Sequence, residues 1–137
     1  MEINFYKTLE ELDNEIWETP AGEFTSLVTA IHQLRKKPLK DFTIEDLRIT
    51  IGQNLNLTYL IPLAIGELQE NILAEGNFYQ GDLLKNVLDS DTGFWLKNKY
   101  YWDIVIELFK KNKEVFESDD SYRQIRKSFE RFEQINK

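Results

Sequence analysis

Apolar residues recur at spacings of three and four over most of the chain, and no segment shows sustained alternation between apolar and polar positions. An apolar stripe at this spacing covers one face of an α-helix, whereas a half-buried strand needs a period of two. Helix-start signals accompany the stripes, because Thr8 and Thr43 each precede a first turn that contains acidic residues. The pattern therefore predicts an all-α protein.

The size and composition of the chain fit one domain. Its 137 residues include 42% hydrophobic and 13% aromatic residues, which is enough to build a single core. The sequence contains no repeat, no low-complexity tract and no linker rich in glycine, proline or serine. We therefore expect residues 1–137 to form a single-domain helical bundle of about six to eight helices. The predicted helices begin near Thr8, Ser26, Thr43, Asn56 or Thr58, Asp82, Phe94 and Ser121.

The segment near residues 94–113 has two apolar stripes. Tyr101 and Ile104 belong to one stripe, whereas Trp95 and Trp102 belong to a second stripe that is turned away from the first. A helix that is apolar on two sides is usually buried between neighbouring helices. This segment is therefore predicted to form the central helix of the bundle, either long or kinked.

The residues that carry most enzyme chemistry are scarce. The chain has no cysteine and a single histidine, His32, so disulfides, thiolate catalysis and the usual zinc ligand sets are excluded. Its six glycines are scattered singly and form no phosphate-binding loop. Carboxylate pairs such as Glu67 with Glu70 leave a hydrolase formally open, although most such pairs in an acidic helical protein are solvated. We expect no enzymatic activity, no metal and no cofactor.

The net charge of −7 is concentrated in one part of the chain. Residues 1–90 contain 15 acidic and 7 basic residues, whereas residues 91–137 contain 9 and 10. Within residues 42–91, eight acidic residues are opposed only by Arg48 and Lys85. A negative field repels nucleic acid and attracts basic proteins, although acidity can also serve solubility alone. We therefore expect no nucleic-acid partner.

Nothing in the sequence indicates insertion into a membrane. No run approaches the ~18 apolar residues that a membrane-spanning helix needs. The first five residues lack both the basic and the apolar region of a secretory signal. We therefore expect a cytoplasmic protein that has no membrane partner.

A loop is predicted between Gly76 and Gly81, before a helix that begins at Asp82. The loop carries two neighbouring aromatic residues, Phe78 and Tyr79. We expect the Phe78 ring to be buried and to anchor the loop. Tyr79 is a candidate for an outward-facing interface contact, because tyrosine combines a large contact area with few rotatable bonds. Asp82 is expected to serve as an N-terminal helix charge.

Three segments in the middle of the chain carry a family resemblance. They are residues 45–53, residues 59–64 and residues 75–84, and the last and most specific reads Glu-Gly-x-Phe-Tyr-x-Gly-Asp-Leu-Leu. From about residue 42 to residue 95, the sequence resembles the immunity proteins of bacterial contact-dependent growth inhibition (CDI) systems. Immunity proteins of this kind bind and neutralise the C-terminal toxin domain that a neighbouring cell delivers.

The resemblance implies an immunity protein whose partner is the C-terminal toxin domain of a CDI effector. Such toxin domains are commonly nucleases, with an RNase favoured here, and they are often basic because they hold RNA or DNA. An acidic protein that covers the substrate cleft in a 1:1 complex would place carboxylates where phosphates normally bind. From charge density and loop placement, the candidate toxin-binding residues are Glu67, Glu70, Glu75, Tyr79, Asp82, Asp89 and Asp91.

A second hypothesis stays open at this point, namely a non-catalytic helical adaptor or regulatory subunit that binds another basic protein. A neighbouring gene for a very large secreted exoprotein would favour immunity over the adaptor. Also open are the oligomeric state, the identity of the toxin and its substrate (tRNA, other RNA or DNA). The shared motif can be either scaffold or interface, and the protein can cover either the active site or an adjacent surface.

Overall fold

The computed structural model describes residues 2–18 and 26–137, and the fold of these residues is all-α as predicted. They contain nine α-helices and two short 3-10 turns, and no strand occurs among them. The turns span Leu39–Asp41 and Asp120–Tyr122. The helices, numbered in chain order, are α1 (Leu9–Asp13), α2 (Ser26–Leu34), α3 (Ile44–Gly52), α4 (Leu57–Glu70), α5 (Asp82–Asp89), α6 (Thr92–Lys97), α7 (Lys99–Lys111), α8 (Lys113–Glu117) and α9 (Arg123–Gln134).

Two helix starts that the sequence predicts are confirmed as capping boxes. The hydroxyls of Thr8 and Thr43 accept hydrogen bonds from the backbone N–H groups of Glu11 and Asp46, at 3.2 and 3.1 Å. In return, the carboxylates of Glu11 and Asp46 accept from the N–H groups of the two threonines, at 3.1 and 3.0 Å. Each box satisfies N–H groups that have no partner within the helix, which fixes where α1 and α3 begin.

The segment near residues 94–113 is helical as predicted, but it is divided into α6, α7 and α8. The divisions lie at Asn98 (φ −130°, ψ 53°) and Asn112 (φ −107°, ψ 18°). The side-chain amides of Asn98 and Asn112 donate to the carbonyls of Phe94 and Leu108, four residues earlier, at 2.8 Å in both cases. Asparagine competes in this way with the backbone N–H groups for helical carbonyls, and the competition interrupts the helix.

Helix α7 is covered on two sides, as its two apolar stripes predict. It packs against α4, and its aromatic residues contact α9. The Trp102 indole N–H donates to the Phe132 carbonyl at 2.9 Å, and the rings of Phe109 and Phe129 stack with centroids 3.8 Å apart. A third side of α7 stays in solvent. Helix α5, in contrast to α7, packs against three other helices, α3, α4 and α9, and therefore lies at the middle of the bundle.

Positive φ angles at asparagines set two other boundaries. Helix α1 ends at Asn14 (φ 55°), and Ile16, two residues later, is exposed. Asn56 (φ 51°) is the N-cap of α4, and Pro62 therefore lies inside this helix. Asparagine tolerates the left-handed region because its short polar side chain can hydrogen-bond locally. The proline removes one backbone hydrogen bond from α4, and packing of the helix compensates for that loss.

The core is formed mainly by α3, α4, α5 and α9 together with α6. Ile51, Leu60, Val87, Trp95 and Phe132 have no exposed surface. Burial of an aliphatic or aromatic side chain contributes about 1.5–3 kcal/mol, so this group supplies much of the driving force for folding. The three helices that carry segments of the resemblance, α3, α4 and α5, therefore pack against one another in this core.

Candidate functional site

Residues 75–81, here called the clamp loop, precede α5 and are held by Glu45 of α3. One oxygen of Glu45, Oε1, accepts hydrogen bonds from the Asn77 N–H at 2.8 Å and from Arg48 Nε at 2.6 Å. The other oxygen, Oε2, accepts from Arg48 Nη2 at 2.6 Å. The hydrogen bonds from Arg48 lower the pKa of the Glu45 carboxyl; burial opposes this effect, and the Asn77 N–H adds to it. Glu45 is therefore a charged, fully occupied anchor.

Asp82, the first residue of α5, holds the clamp loop from the other side. Its carboxylate accepts hydrogen bonds from the N–H groups of Gly76 at 2.7 Å, Phe78 at 3.0 Å and Tyr79 at 3.3 Å. The Asp82 side chain is only 3% exposed, and Arg48 Nε lies 3.8 Å from its Oδ2. The Asp82 carboxylate is therefore buried and occupied by the loop, and very little of it is exposed at the surface.

Two glycines allow the clamp loop to approach its anchors. A Cβ atom at Gly76 would lie 2.4 Å from Glu45 Oε1, which is closer than real contacts allow. Gly81 has a φ of 91°, and a Cβ atom there would lie 2.7 Å from Cδ1 of Ile125. Glycine is favoured at both positions because it alone lacks the Cβ atom. The two glycines of the motif therefore have structural roles.

The prediction that Phe78 is buried is wrong. The residue is 69% exposed, and the Arg48 guanidinium carbon lies 4.2 Å from the ring centroid. The loop is fixed through its backbone N–H groups rather than by an apolar anchor, so the Phe78 ring is free to lie on Arg48. A cation over the face of an aromatic ring is attracted by the ring quadrupole. The outcome is an apolar side chain that is held in position at the surface.

Tyr79 lies beside Phe78 and is 46% exposed. Burial of its hydroxyl raises the pKa of Tyr79, and the charges of Asp82 and Asp89 raise it further, against the opposing effect of Arg48. The phenol therefore stays protonated at neutral pH and can donate a hydrogen bond. The Tyr79 N–H donates to the Asp82 carboxylate at 3.3 Å, so the fold brings two of the seven candidate residues into contact.

Asp89 and Asp91, at the far end of α5, differ in how their charges are compensated. Asp89 forms ion pairs with Lys85 and with Arg131, the latter at 3.4 Å. Although burial opposes it, the hydrogen bond from Lys85 helps to lower the pKa of Asp89. Asp91 is the N-cap of α6 and accepts from the Phe94 N–H at 3.2 Å. Asp91 forms no ion pair within the described part of the chain.

The remaining candidates, Glu67, Glu70 and Glu75, are exposed. None of the three forms an ion pair with another described residue. Glu67 lies on the wall of a cavity that Phe5 and Lys40 also line, beside the N-terminal segment. Glu70 is the last residue of α4, and Glu75 is the first residue of the clamp loop. The candidate residues therefore spread from α4 across the loop to the end of α5 and do not form one compact cluster.

Three residues that shape this surface are absent from the list of candidates. Glu45 and Arg48 fix the loop, and Phe78 forms its exposed tip. The spacing of Glu45 and Arg48, three residues apart on a predicted helix, indicates an ion pair but does not reveal which loop it holds. No sequence signal indicates that Phe78 faces outward, because its burial depends on contacts that residues distant in sequence provide.

The arrangement suits binding rather than acid–base chemistry. Glu45 and Asp82 are both engaged by Arg48 and by backbone N–H groups, so neither carboxylate is free to move a proton. Within the described ranges, no group of three or more histidine, cysteine, aspartate or glutamate residues could hold a metal ion. None of the described helices is long and apolar enough to cross a membrane.

Comparison with protein families identifies the chain. The family model described as CDI immunity proteins matches residues 11–105, which is more than two thirds of the sequence. The chain belongs to the CDI immunity proteins. Searches of curated proteins and of solved structures gave no match. The matched region includes Glu45, Arg48 and the whole clamp loop.

Membership of this family gives the protein its role, which is immunity against a CDI toxin that it binds as its cognate partner. Proteins of the family are generally not enzymes. Because the clamp loop lies well inside the matched region, its anchors and its exposed aromatic residues are part of the family-like portion of this immunity protein.

Proposed function

We propose that this immunity protein neutralises a basic nuclease toxin, with an RNase favoured, by covering the substrate cleft in a 1:1 complex. The observation that carries the proposal is the set of uncompensated carboxylates in the middle of the chain. Such groups would occupy cationic positions that otherwise bind phosphate, and their field would speed association with a basic partner.

Ion pairs divide the eight acidic residues of the 42–91 region into two groups of four. The first group is compensated inside the protein, and both cations of the region, Arg48 and Lys85, are used in doing so. This group consists of Glu45, Asp46, Asp82 and Asp89. The second group forms no ion pair with a described residue and consists of Glu67, Glu70, Glu75 and Asp91. The second group is therefore the main source of the external negative field.

This division separates direct contacts from positioning residues on the proposed surface. The direct contacts would be the four uncompensated acids together with Tyr79, and Asp89 would contribute through its exposed edge. Asp82 would act indirectly, since it fixes the backbone that carries Glu75 and Tyr79. Substrate phosphates and the carboxylates compete for the same cations in this mechanism, so bound inhibitor excludes RNA.

The test compares two triple variants that remove the same charge. One variant is Glu67→Gln, Glu70→Gln and Glu75→Gln. The control is Glu2→Gln, Glu107→Gln and Glu114→Gln, which are exposed residues that form no ion pair with a described residue. Association with the cognate toxin domain at low salt should slow about tenfold in the first variant and less than about twofold in the control. Equal effects in both variants would show that only net charge matters.

The nuclease part of the proposal has a separate test. The purified toxin domain is incubated with tRNA, total RNA or DNA, with and without the immunity protein. We expect degradation of RNA that stops at one equivalent of immunity protein. A toxin that degrades no nucleic acid, or an inhibitor that stops its activity without displacing bound RNA, would refute the nuclease or the cleft-covering part respectively.

A further inference from the structure

We infer that Phe78 and Tyr79 form a preorganised anchor that inserts into an apolar pocket with a cationic rim on the toxin domain. The inference rests on the proposed toxin complex and specifies where its affinity arises. It also assigns two different roles to residues of the family-like motif. Glu45, Arg48 and Asp82 would act as scaffold, whereas the two aromatic side chains would act as interface.

The first support is the rigidity of the backbone beneath these rings. The four consecutive N–H groups from Gly76 to Tyr79 all donate to the carboxylates of Glu45 or Asp82. At the end of the loop, the Gly81 N–H donates to the Leu73 carbonyl at 3.2 Å. A loop that is already ordered loses little conformational entropy when it binds, so more of the contact energy appears as affinity.

The second support is the contrast between this fixation and the exposure of the rings. The backbone of residues 76–79 is bonded to buried or half-buried carboxylates, yet Phe78 covers no part of the core and touches Arg48 on one face. A loop with no binding role would not need such anchors to hold an apolar ring in water. Aromatic side chains that dominate interfaces are rigid, large and surrounded by polar groups, as these two are.

The third support concerns the charge of the partner that these rings would contact. Glu75, on the same loop, is exposed and forms no ion pair with a described residue. The charge of Arg48 is already matched by Glu45 and Asp82. The apolar tip is therefore bordered by negative charge, which fits a basic protein. A symmetric contact with a second copy would bring the two Glu75 residues towards each other, and like charges oppose such a contact.

The test compares two double variants that each remove two exposed aromatic rings. The test variant is Phe78→Ala with Tyr79→Ala, and the control is Tyr6→Ala with Tyr100→Ala, two residues that are 77% and 73% exposed. Dissociation from a catalytically inactive cognate toxin domain is measured by surface plasmon resonance. We expect dissociation to be on the order of 100-fold faster in the test variant, with association changed less than about twofold. The control should change neither rate by more than about twofold.

The outcomes separate this inference from the electrostatic proposal. The loss of negative charge slows association, whereas the loss of the anchor speeds dissociation, so each proposal can fail while the other stands. The anchor inference is overturned if the test variant has the same urea midpoint as wild type and also dissociates from the toxin at the wild-type rate. A free protein that dimerises through these rings, with toxin binding unchanged after their removal, overturns it as well.

Discussion

Two arginines, Arg35 and Arg48, are each held between a carboxylate and an aromatic ring, but in opposite surroundings. The Arg35 guanidinium pairs with Asp13 at 2.9 Å and lies 4.4 Å from the Trp17 ring centroid, and its side chain is 2% exposed. The Arg48 guanidinium pairs with Glu45 at 2.6 Å, and its side chain is 14% exposed. The ring that covers it, Phe78, lies mostly in solvent.

The Arg35 cluster connects parts of the chain to one another. Arg35 donates to both carboxylate oxygens of Asp13, to the Glu15 carbonyl at 2.6 Å and to the Asn56 side chain at 3.1 Å. Trp17 covers the cluster and makes an edge contact with His32, with ring centroids 5.5 Å apart. The Asp13 carboxylate, the two Arg35 Nη atoms and the Trp17 ring all contact other parts of the described chain, so the cluster fastens the N-terminal segment to α2 and α4.

The Arg48 cluster uses the same types of group for a different result. Its carboxylates fix a backbone, and its aromatic ring faces outward instead of closing the cluster. The comparison shows that ion-pair chemistry alone does not distinguish a stabilising cluster from a binding surface. The two clusters differ in the direction of the aromatic ring, and a ring that contributes little to the fold, such as Phe78, can contact a partner on the proposed binding surface.

The largest predicted effect is on stability, from Arg35→Ala. The substitution leaves Asp13, whose side chain is 20% exposed, without its cation, so we expect the free energy of unfolding to fall by about 3 kcal/mol. Urea denaturation measures the change, and Lys36→Ala, at the exposed next position, is the control. Toxin affinity of the folded protein should be unchanged. A loss below about 1 kcal/mol would mean that this cluster does not fasten the segment.

The next effect is from Asp82→Asn, which acts on both stability and binding. An amide cannot accept all three loop N–H bonds with the same strength, so we expect unfolding to become easier by about 1–3 kcal/mol. The dissociation rate of the toxin should also rise, because the loop loses its fixed position. Asp103→Asn, in an exposed ion pair with Lys99, should cost less than about 1 kcal/mol. If the Asp82→Asn variant dissociates from the toxin at the wild-type rate, the fixed position of the loop does not contribute to toxin binding.

Gly76→Ala tests the clamp without changing any charge. The added methyl group displaces Glu45 from the loop, so we expect about 1 kcal/mol of lost stability and roughly tenfold faster toxin dissociation. Gly66→Ala is the matched control, because a Cβ atom at Gly66 meets nothing within 4 Å. At that exposed helical position alanine should raise stability by up to about 1 kcal/mol. If the two variants dissociate from the toxin at equal rates, the position of the clamp loop has no role in toxin binding.

The smallest effect is a pH dependence that involves Glu45. Its folded pKa is lowered from the usual 4.5, so the stability it contributes is present above that value and is lost as the pH falls through the lowered folded pKa. We expect the stability of wild-type protein to fall more steeply than that of Glu45→Gln as the pH is lowered from about 5 to about 3. The urea midpoints of both proteins are measured across this pH range. If the two midpoints fall in parallel, the Glu45 carboxyl does not contribute to the pH dependence of stability.

Features that depend on neighbouring residues were predictable from the sequence. The all-α class follows from periodicity, and the capping boxes at Thr8 and Thr43 follow from residues three positions apart. The clamp loop was predictable for the same reason, because glycines mark both of its ends. The sequence allows a kink in the 94–113 helix but does not place it at Asn98 and Asn112, since side-chain competition for carbonyls is weaker evidence than a proline or glycine.

Features that depend on distant residues were not predictable. Asp82 at the start of a helix has the sequence pattern of an N-terminal charge, yet it binds the backbone of the preceding loop. The sequence predicts a buried Phe78, since phenylalanine is usually buried, but carboxylates from α3 and α5 already hold its loop through the backbone. Only the folded arrangement shows which charges are compensated, and so which candidate residues can meet a partner.

The most direct test of the proposed binding mode is the structure of the complex with the cognate toxin domain. We predict that Phe78 is buried in a pocket of the toxin and that Glu75 lies within ion-pair distance of a toxin lysine or arginine. A toxin that contacts only residues 91–137, with the clamp loop left in solvent, would contradict both the electrostatic surface and the aromatic anchor.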